Sequence, residues 1–426
     1  MFTYLKTSYF NLCLTVLLLG QALGGDQFLP AKAFRIPKET VSEESGYFSI
    51  IEGKDRKLYI GTTKYGSNAY LVEFDPGKDS MRMVVDAHKE IGTTATGFAA
   101  QAKIHTRNNV GRSGKIYFGT KQGYPQKGES RDLYPGGYPM WYDPHTGKTR
   151  VYPIPKKGHG IISVTPDESR GIAYISTCTD SRPMDSTHFM VLDLESGHYK
   201  DLGDLRHMYA FIVVDYLGRA YHPVEGGQIA RYLPNSEELE FLNQKIDGKS
   251  LAPEILLAKE NGHPINWDIT PDRKKLYAVA MAGNQLYRYD LTGSGQMLEG
   301  KSLGKLLSGT EKTDCRAMCV GPTGTTGTVW AAVLDKGKGG RLHLVSYREG
   351  DCAPEDHGAL YVTNPGYTEF ENKEGKPLPW HHGMKKLEDG RTVPLYHMGV
   401  CEATDGSVYV TVIYPYTLLK VSKEDL

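Results

Sequence analysis

The chain repeats one short pattern seven times, and this repeat is the strongest constraint on its fold. In each copy a turn is followed by a strand-like segment that carries an aromatic residue. The seven aromatic marks are Tyr59, Tyr117, Tyr174, Tyr221, Tyr277, Trp330 and Tyr409. Their spacing is roughly 45 to 60 residues, which is the length of a four-stranded propeller blade. Only the spacing before the last copy is longer.

Composition agrees with an all-β chain. Among 426 residues there are 48 glycines, 28 tyrosines and 23 prolines. Glycine and proline favour turns, while tyrosine suits a half-buried strand. With 39% hydrophobic residues the chain is able to bury a large core. We therefore predict a seven-bladed β-propeller that spans residues 25–426 as one domain.

The ends of the repeat predict how the ring closes. The last copy stops at Tyr416–Val421, which is its third strand, so its outermost strand is missing. The segment Ala31–Ile36 is able to supply that strand and so to leave no sheet edge open in the ring. A polar insert at residues 361–395, before the last copy, predicts a long loop.

The first residues predict an export signal. Lys6 precedes an apolar run from Leu12 to Leu19, and small residues follow near Gly24. This pattern is typical of a signal peptide over residues 1–24, and an uncleaved anchor is the alternative. We expect a secreted or periplasmic protein that does not associate with a membrane after cleavage.

The charge balance excludes several classes of partner. The 50 basic and 50 acidic residues give a formal net charge of zero, so no overall field attracts nucleic acid. No nucleotide-binding glycine loop and no Gly-x-Ser-x-Gly elbow occurs. Any charged ligand must therefore be bound by a local patch of charge. We also expect the protein to be a monomer.

A histidine or cysteine recurs twelve to fifteen residues before the last six aromatic marks. These residues are His105, His159, His207, His263, Cys315 and His397. In a propeller the innermost strand of each blade lines the central channel, so residues at its beginning lie on one rim. The repeat thus predicts a ring of imidazole and thiol groups around one mouth of the channel.

Four of these residues come from consecutive copies and form a candidate metal site. Imidazole nitrogen and thiolate sulfur are ligands that zinc prefers. We therefore predict a divalent metal, zinc first and calcium or manganese as alternatives, at His207, His263, Cys315 and His397. The simpler alternative is that these side chains only cap the channel. A second open question is whether Cys319 and Cys401 form a disulfide between blades.

A basic and aromatic surface is predicted on the other side of the ring. His105 lies between Lys103 and Arg107, and the next loop, from Lys121 to Tyr138, adds Lys127, Arg131 and several tyrosines. Aromatic faces stack on sugar rings, and Lys and Arg bind carboxylate or sulfate groups. An acidic polysaccharide is the ligand class that fits, and an ordinary solvated loop is the alternative.

The Lys-Ile-His segment at Lys103–His105 and the Tyr-Phe-Gly-Thr strand at Tyr117–Thr120, together with the seven-blade layout, resemble the secreted propeller polysaccharide lyases. Ulvan lyases resemble the chain most, and oligogalacturonate lyases more distantly. The resemblance implies that a uronic-acid polymer lies across one mouth of the propeller and is cleaved by β-elimination. In ulvan lyases a second histidine follows soon after the first in the same blade, whereas Gly123–Gln126 stands there in this chain.

The resemblance implies roles for particular residues. His105 is the leading catalytic histidine, and His159 would replace the second one. Tyr209 would act as an acid and Arg231 would bind the carboxylate. The substrate-binding residues would be Lys103, Lys121 and Arg131. The alternative function is a propeller that binds a glycan or a protein without catalysis, and a calcium-dependent lactonase is a weaker third.

Overall fold

The regular secondary structure that the described residues form is almost entirely β-strand. A computed structural model describes residues 27–42, 46–179, 186–207, 211–250, 265–310, 312–337, 339–368 and 383–426. Within these residues no helix has the length and apolar character that a membrane span requires. The predicted signal peptide, Tyr209 and His263 lie outside the described residues.

Within the described residues seven antiparallel blades of four main strands follow one another along the chain, as the repeat predicts, and parallel pairing of outer strands joins the fourth with the fifth and the sixth with the seventh. We number them blades 1 to 7 in chain order and name their strands from the axis outwards. The inner strands are Gly46–Glu52, Lys103–Ile104 with Asn109–Val110, Gly160–Asp167, Val213–Val214, Ile265–Ile269, Thr313–Val320 and His397–Glu402. The second strands are Leu58–Thr62, Ile116–Lys121, Ile172–Cys178, Ala220–Pro223, Lys275–Ala280, Thr328–Asp335 and Val408–Val412. The third strands are Tyr70–Asp75, Pro139–Asp143, His188–Asp193, Ile229–Leu233, Gln285–Asp290, Arg341–Arg348 and Thr417–Val421. The outer strands are Ser80–Asp86, Lys148–Val151, Tyr199–Asp204, Glu238–Ile246, Met297–Lys305, Glu355–Val362 and Phe28–Arg35.

The predicted closure is confirmed. Residues Lys32–Arg35 pair antiparallel with Thr417–Lys420 and complete blade 7. The first half of the same strand pairs in parallel with the outer strand of blade 6, at Ala359–Val362. The inner strands of blades 7 and 1 are also in contact, so the ring is closed at the axis as well as at the rim. No loose edge therefore remains where the chain ends meet.

The seven aromatic marks all lie in second strands and all are buried. Three of their hydroxyl groups donate to carboxylates in the turns between inner and second strands: Tyr59 to Asp55 at 2.7 Å, Tyr117 to Glu168 at 2.8 Å, and Tyr221 to Asp215 at 2.9 Å. A tyrosine fills the space between blades with its ring and satisfies its hydroxyl at the sheet end. This combination explains why the repeat selects an aromatic residue there.

The two faces of the ring differ. One face carries the turns between inner and second strands, and we call it the turn face. The other, which we call the loop face, carries the connections between blades and the loops between second and third strands. In the described residues the short helices are one α-helix, Ala87–Ile91, and the 3₁₀ turns Lys38–Thr40, Gly97–Ala99, Arg131–Leu133, Glu168–Arg170, Pro365–Thr368 and Lys423–Asp425.

The insert before blade 7 is more ordered at its end than the predicted loop. Met384–Lys386 and Thr392–Pro394 form a hairpin, and Thr392 pairs with Val362 of blade 6. Lys249–Ser250 forms a similar small extension of blade 4. The outer strand of blade 6 thus pairs with the N-terminal strand at Ala359–Val362 and also with the hairpin at Val362.

The central channel is crossed by Arg107. The inner strand of blade 2 is interrupted between Ile104 and Asn109, and in this gap Arg107 leaves the sheet. Its guanidinium donates to Asp268 Oδ2 of blade 5 at 2.6 Å, to Trp267 O at 2.7 Å and to Met318 O of blade 6 at 3.2 Å. A half-buried charged pair thus connects one side of the ring to the other.

Candidate functional site

The loop face of blades 1 to 3 brings together several of the residues selected from the sequence. Three tyrosines, Tyr47, Tyr65 and Tyr124, form what we call the tyrosine cage. Two buried lysines, Lys103 and Lys121, lie beneath and beside it. His105 packs against the same group of side chains.

Strand pairing in blade 2 sets the two lysines side by side. Lys103 in the inner strand and Lys121 at the end of the second strand are paired positions, and their side chains are almost fully buried. The side chain of Lys121 runs over Gly160 of blade 3, where an added Cβ atom would lie 2.3 Å from its Cγ. Only glycine fits at position 160 while Lys121 keeps this path.

The tyrosine cage surrounds the ammonium group of Lys103. Its Nζ lies 4.0 Å from the ring centre of Tyr124, 4.9 Å from that of Tyr47 and 5.2 Å from that of Tyr65. The Tyr47 hydroxyl is 2.7 Å from the Tyr65 hydroxyl and 3.3 Å from that of Tyr124. A cation over several aromatic faces is held by their quadrupoles. Tyr124 is 58% exposed, so one wall of the cage faces solvent.

His105 lies directly under the cage. Its ring is 4.1 Å from that of Tyr47, and Phe48 packs against its edge at 5.5 Å. Burial, reinforced by the charges of Lys121 and Lys103, holds the pKa of His105 well below its usual range. The imidazole is therefore neutral at neutral pH. It is only 1% exposed, so Tyr47 separates it from solvent.

Lys121 and His159 extend the cluster towards blade 3. Lys121 Nζ lies 3.2 Å from Cys178 Sγ, and His159 Nδ1 lies 3.0 Å from the hydroxyl of Thr177. The His159 ring is edge-on to His188 at 5.5 Å. The structure thus groups His105, His159 and both lysines on adjoining blades, as predicted.

Two further predicted residues lie elsewhere. Arg131 begins an exposed 3₁₀ turn on the loop face, with its guanidinium 6.0 Å from the ring centre of Phe98, at the outer side of the cage. Arg231 is buried in blade 4, where its guanidinium donates twice to Glu240 Oε2, at 2.6 and 2.9 Å, and also to carbonyl groups at Ser294 and Gly295. Arg231 therefore forms an ion pair within blade 4, its guanidinium also contacts carbonyl groups of blade 5, and it is not part of the cluster.

The predicted metal ligands do not form a ligand set in the described structure. Within the part of the chain that the structure describes, no group of three or more His, Cys, Asp or Glu side chains is able to hold a metal. His397 Nε2 accepts a hydrogen bond from the Arg316 amide at 2.9 Å, and burial raises the pKa of the Cys315 thiol. His207 precedes the inner strand of blade 4, which begins at Val213. With His263 outside the described residues, zinc stays an untested prediction.

The cysteines are separate. Cys315, Cys319 and Cys401 are free thiols in the structure. Cys319 and Cys401 are buried on neighbouring inner strands, and burial raises the pKa of both thiols. The considered disulfide between them is therefore not formed here.

Sequence reasoning missed Tyr47 and Tyr65. The spacing that led to the histidines also leads to Tyr47, which lies twelve residues before the aromatic mark Tyr59, just as His105 lies twelve before Tyr117. Tyr47 is thus the blade 1 member of the recurring series. Nothing in the local sequence marks Tyr65, because it belongs to a loop of blade 1 and reaches Lys103 of blade 2 only in the folded chain.

This arrangement has a definite chemical character. Aromatic faces and hydroxyl groups are presented to solvent, and two ammonium groups lie just behind them. Such a surface suits a ligand that has both a ring or aliphatic face and an anionic substituent. The neutral imidazole of His105 adds a proton acceptor that is covered by Tyr47.

Comparison with known proteins identifies the fold. No protein-family model and no curated protein sequence matches the chain. A streptogramin B lyase structure is similar with a TM-score of 0.54 and 13% identity, over 93% of this chain and 97% of that one. The extracellular domain of a hybrid two-component system from B. thetaiotaomicron gives a TM-score of 0.52 and 10% identity, over 93% and 40%. The Cps50 (Swd1) propeller domain from Myceliophteria thermophila gives 0.52 and 10%, over 92% and 98%. At these identities the likeness establishes the β-propeller fold alone.

Proposed function

We propose that the chain binds an acidic polysaccharide at the tyrosine cage on the loop face of blades 1 to 3. The observation that carries this proposal is the position of the Lys103 ammonium, 4.0 to 5.2 Å from the centres of three tyrosine rings. The exposed ring of Tyr124 offers a stacking surface for a sugar. Lys103 and Lys121 supply the charge that attracts a carboxylate or sulfate group.

The finer proposal is that the bound polymer contains uronic acid and is cleaved by β-elimination. In this reaction a base removes the proton next to the carboxylate, the bond to the leaving oxygen breaks, and that oxygen takes up a proton. A neutral His105 is suited to accept the proton. Burial and the neighbouring hydroxyl groups of Tyr65 and Tyr124 raise the pKa of Tyr47, so Tyr47 keeps its proton at neutral pH and is a weaker acid than a free tyrosine. It is the protonated group next to His105 from which the leaving oxygen would take its proton.

Two facts support an elimination without assigning it. The cationic surroundings of His105 would stabilise the negative charge that develops on the carboxylate side of the substrate. One of the structures with the same fold is a streptogramin B lyase, so the fold is compatible with a lyase.

A second candidate function, binding without catalysis, is favoured by one observation. His105 is covered by the Tyr47 ring at 4.1 Å and reaches no solvent in the described conformation. A general base must come within hydrogen-bond reach of its proton. Unless the cage opens, the chain would only bind the polymer.

Binding is tested with immobilised polygalacturonate, alginate and chondroitin sulfate, with neutral dextran as the negative ligand. We expect the purified chain to be retained by an acidic polymer and not by dextran. Tyr124→Ala should weaken the binding about three- to tenfold. Tyr216→Ala is the matched control, because Tyr216 is 41% exposed and has Lys274 near its ring, but lies in a turn-face loop of blade 4. Equal loss in both variants, or no retention of the wild type, would remove the proposed site.

Cleavage is followed with the same polymers by the ultraviolet absorbance of unsaturated products. Absorbance that disappears in His105→Gln would support the elimination, while binding with no absorbance would leave a binding propeller.

Elemental analysis of the same sample tests the predicted zinc. N-terminal sequencing of the exported chain and its elution volume on size exclusion test the predicted signal cleavage and the predicted monomer.

A further inference from the structure

The tyrosine cage depends on two loops that come from different blades. Tyr65 belongs to the loop that follows the second strand of blade 1, and Tyr124 to the loop that follows the second strand of blade 2. Their rings lie 5.4 Å apart. The Tyr65 loop is tied to the start of the inner strand of blade 2, where the Lys64 amide donates to Ala102 O at 2.9 Å. The position of the Tyr124 loop against it depends on further contacts.

Glu129 makes this connection. Its Oε1 accepts a hydrogen bond from the Phe98 amide at 2.6 Å, and its Oε2 accepts one from the Gln126 amide at 2.9 Å. Phe98 lies in the short turn Gly97–Ala99 between blades 1 and 2. The first bond thus ties the Tyr124 loop to that turn, and the second tightens the loop itself.

The turn passes the connection on to the Tyr65 loop. The amide of Gly97 donates to the carbonyl of Gly66, the residue after Tyr65, at 3.0 Å. A continuous series of hydrogen bonds therefore runs from Gly66 through Gly97 and Phe98 to Glu129 and Gln126. The backbone segments that carry Tyr65 and Tyr124 are both held by it.

Gly97 is required for this series. Its φ of +64° lies in the left-handed region, and an added Cβ atom would lie 2.3 Å from Glu129 Oε1. A side chain at position 97 would strain the backbone and push the carboxylate away. Glycine here is explained by the approach of Glu129.

The rest of the Tyr124 loop is anchored in another way. Tyr134 is buried and donates to Gln101 at 2.9 Å, and the Tyr138 amide donates to Thr120 at 2.9 Å. These contacts hold the second half of the loop to the core. The first half begins at Gln122, whose side chain donates to Thr179 O at 3.1 Å, and Glu129 anchors the exposed residues Gln126 to Gly128 that follow Tyr124.

We propose that Glu129 is a positioning residue, which holds Tyr124 over Lys103 by joining the two tyrosine-bearing loops. The importance of this role for ligand binding rests on the proposed function. Glu129 does not itself touch the cage. Its negative charge is unfavourable for an anionic ligand, so its benefit to binding must come from the geometry that it maintains.

This opposition of charge and geometry makes a sharp test. If Glu129 acted only through its charge, Glu129→Ala would strengthen the binding of polygalacturonate. If it positions Tyr124, the same substitution weakens the binding several-fold. Asp132→Asn is the matched control, because Asp132 is an exposed acid three residues further along the same loop. We expect this control to leave the affinity unchanged or to raise it slightly.

A second measurement does not need the ligand. In Glu129→Ala the amides of Phe98 and Gln126 should exchange hydrogen about tenfold faster, since each loses its acceptor. Trypsin should also cleave faster after Lys127. Gly97→Ala should reproduce both effects, and the double variant should add little, because both changes break the same contact.

The outcomes separate the two proposals. Unchanged exchange at Phe98 and Gln126, or stronger binding by Glu129→Ala, would overturn the positioning role. If the wild type binds no acidic polymer, the proposed function fails, and exchange and proteolysis still decide whether Glu129 ties the loops.

Discussion

Blades 2 and 7 carry a histidine at the same position of the repeat, yet the two surroundings are opposite. His105 lies beside two lysines and under a tyrosine ring. His397 lies beside Asp314, and its Nε2 accepts the Arg316 amide. Both imidazoles are almost fully buried. Burial alone therefore does not distinguish the two positions, and the neighbouring charges do.

The charges around His397 are paired within the fold. Asp314 accepts Arg316 at 3.0 Å and Lys336 at 2.9 Å. Although burial raises the pKa of Asp314, His397, Arg316 and Lys336 together hold it below its usual range. Around His105 the lysine in the cage is faced by aromatic rings. The repeat places His105 and His397 at equivalent positions. The residues of the adjoining loops then determine which charges surround each imidazole.

The two regions are joined through the channel, and cutting this connection should have the largest effect. Arg107→Met leaves Asp268 without its guanidinium partner. Their side chains are only 17% and 19% exposed, so we expect a loss of roughly 2–5 kcal/mol in the free energy of unfolding. Urea denaturation measures it.

The control for Arg107 is an exposed ion pair. Arg206 pairs with Glu225 at 2.7 Å, with both side chains about half exposed, so Arg206→Met should cost about 1 kcal/mol or less. Equal midpoints of unfolding for the two variants would mean that the channel-crossing pair does not couple the blades.

Acid should affect the two histidines at different pH. Burial lowers the pKa of His397 to about 4, although Asp314 raises it. The unfolded chain binds the proton near pH 6.5, so stability is lost as pH falls from about 6.5 towards 4, by roughly 3 kcal/mol at about 1.4 kcal/mol per pH unit.

The histidine resonances provide the measurement. His105 has two lysines as neighbours, whereas His397 has Asp314. We therefore expect His105 to stay neutral at the pH at which His397 takes up its proton. His397→Gln should reduce the dependence of stability on pH in this window by the contribution of one proton, and the part due to His105 should remain. If His105 titrated above His397, the contrast between the two surroundings would be wrong.

Removing a lysine should affect ligand binding in one region alone. Lys103→Met removes the cage ammonium, and a charge-assisted bond of about 1.5–3 kcal/mol corresponds to a loss of roughly ten- to hundredfold in affinity for polygalacturonate. Lys336→Met removes a lysine that is paired with Asp314 and should leave the affinity within about twofold. Equal losses would show that only the net charge of the chain matters.

The fold was predictable because its determinants are local and repeated. Each blade has an aromatic side chain at the same position of its second strand, so the repeat is visible in the sequence at Tyr59 and its counterparts. Closure by the N-terminal strand followed from the missing fourth strand of blade 7. The hairpin in the insert was not predicted, because Thr392 forms its pair with Val362 only after blade 6 has been assembled.

The site was predictable only in part. Lys103, Lys121, His105 and His159 lie on adjoining blades because they stand at strand ends of consecutive copies, and their functional roles stay predictions. Arg231 was misplaced because Glu240, its cross-strand partner in blade 4, pairs with its guanidinium, and composition does not reveal such a pairing. Tyr65 and Glu129 reach the cage through loop conformation, and loops have no periodicity from which to infer it.

The smallest expected effect separates the ring of Tyr124 from its hydroxyl. In Tyr124→Phe the aromatic face over Lys103 is kept, and only a contact of 3.3 Å with the Tyr47 hydroxyl is lost. Since a neutral hydrogen bond contributes about 1 kcal/mol and this one is long and exposed, the affinity for polygalacturonate should change by about twofold or less. A loss as large as that of Tyr124→Ala would transfer the role from the aromatic face to the hydroxyl network. The cage would then act as a set of hydrogen-bond donors, and the difference between the surroundings of His105 and His397 would lie in hydroxyl groups and not in aromatic rings.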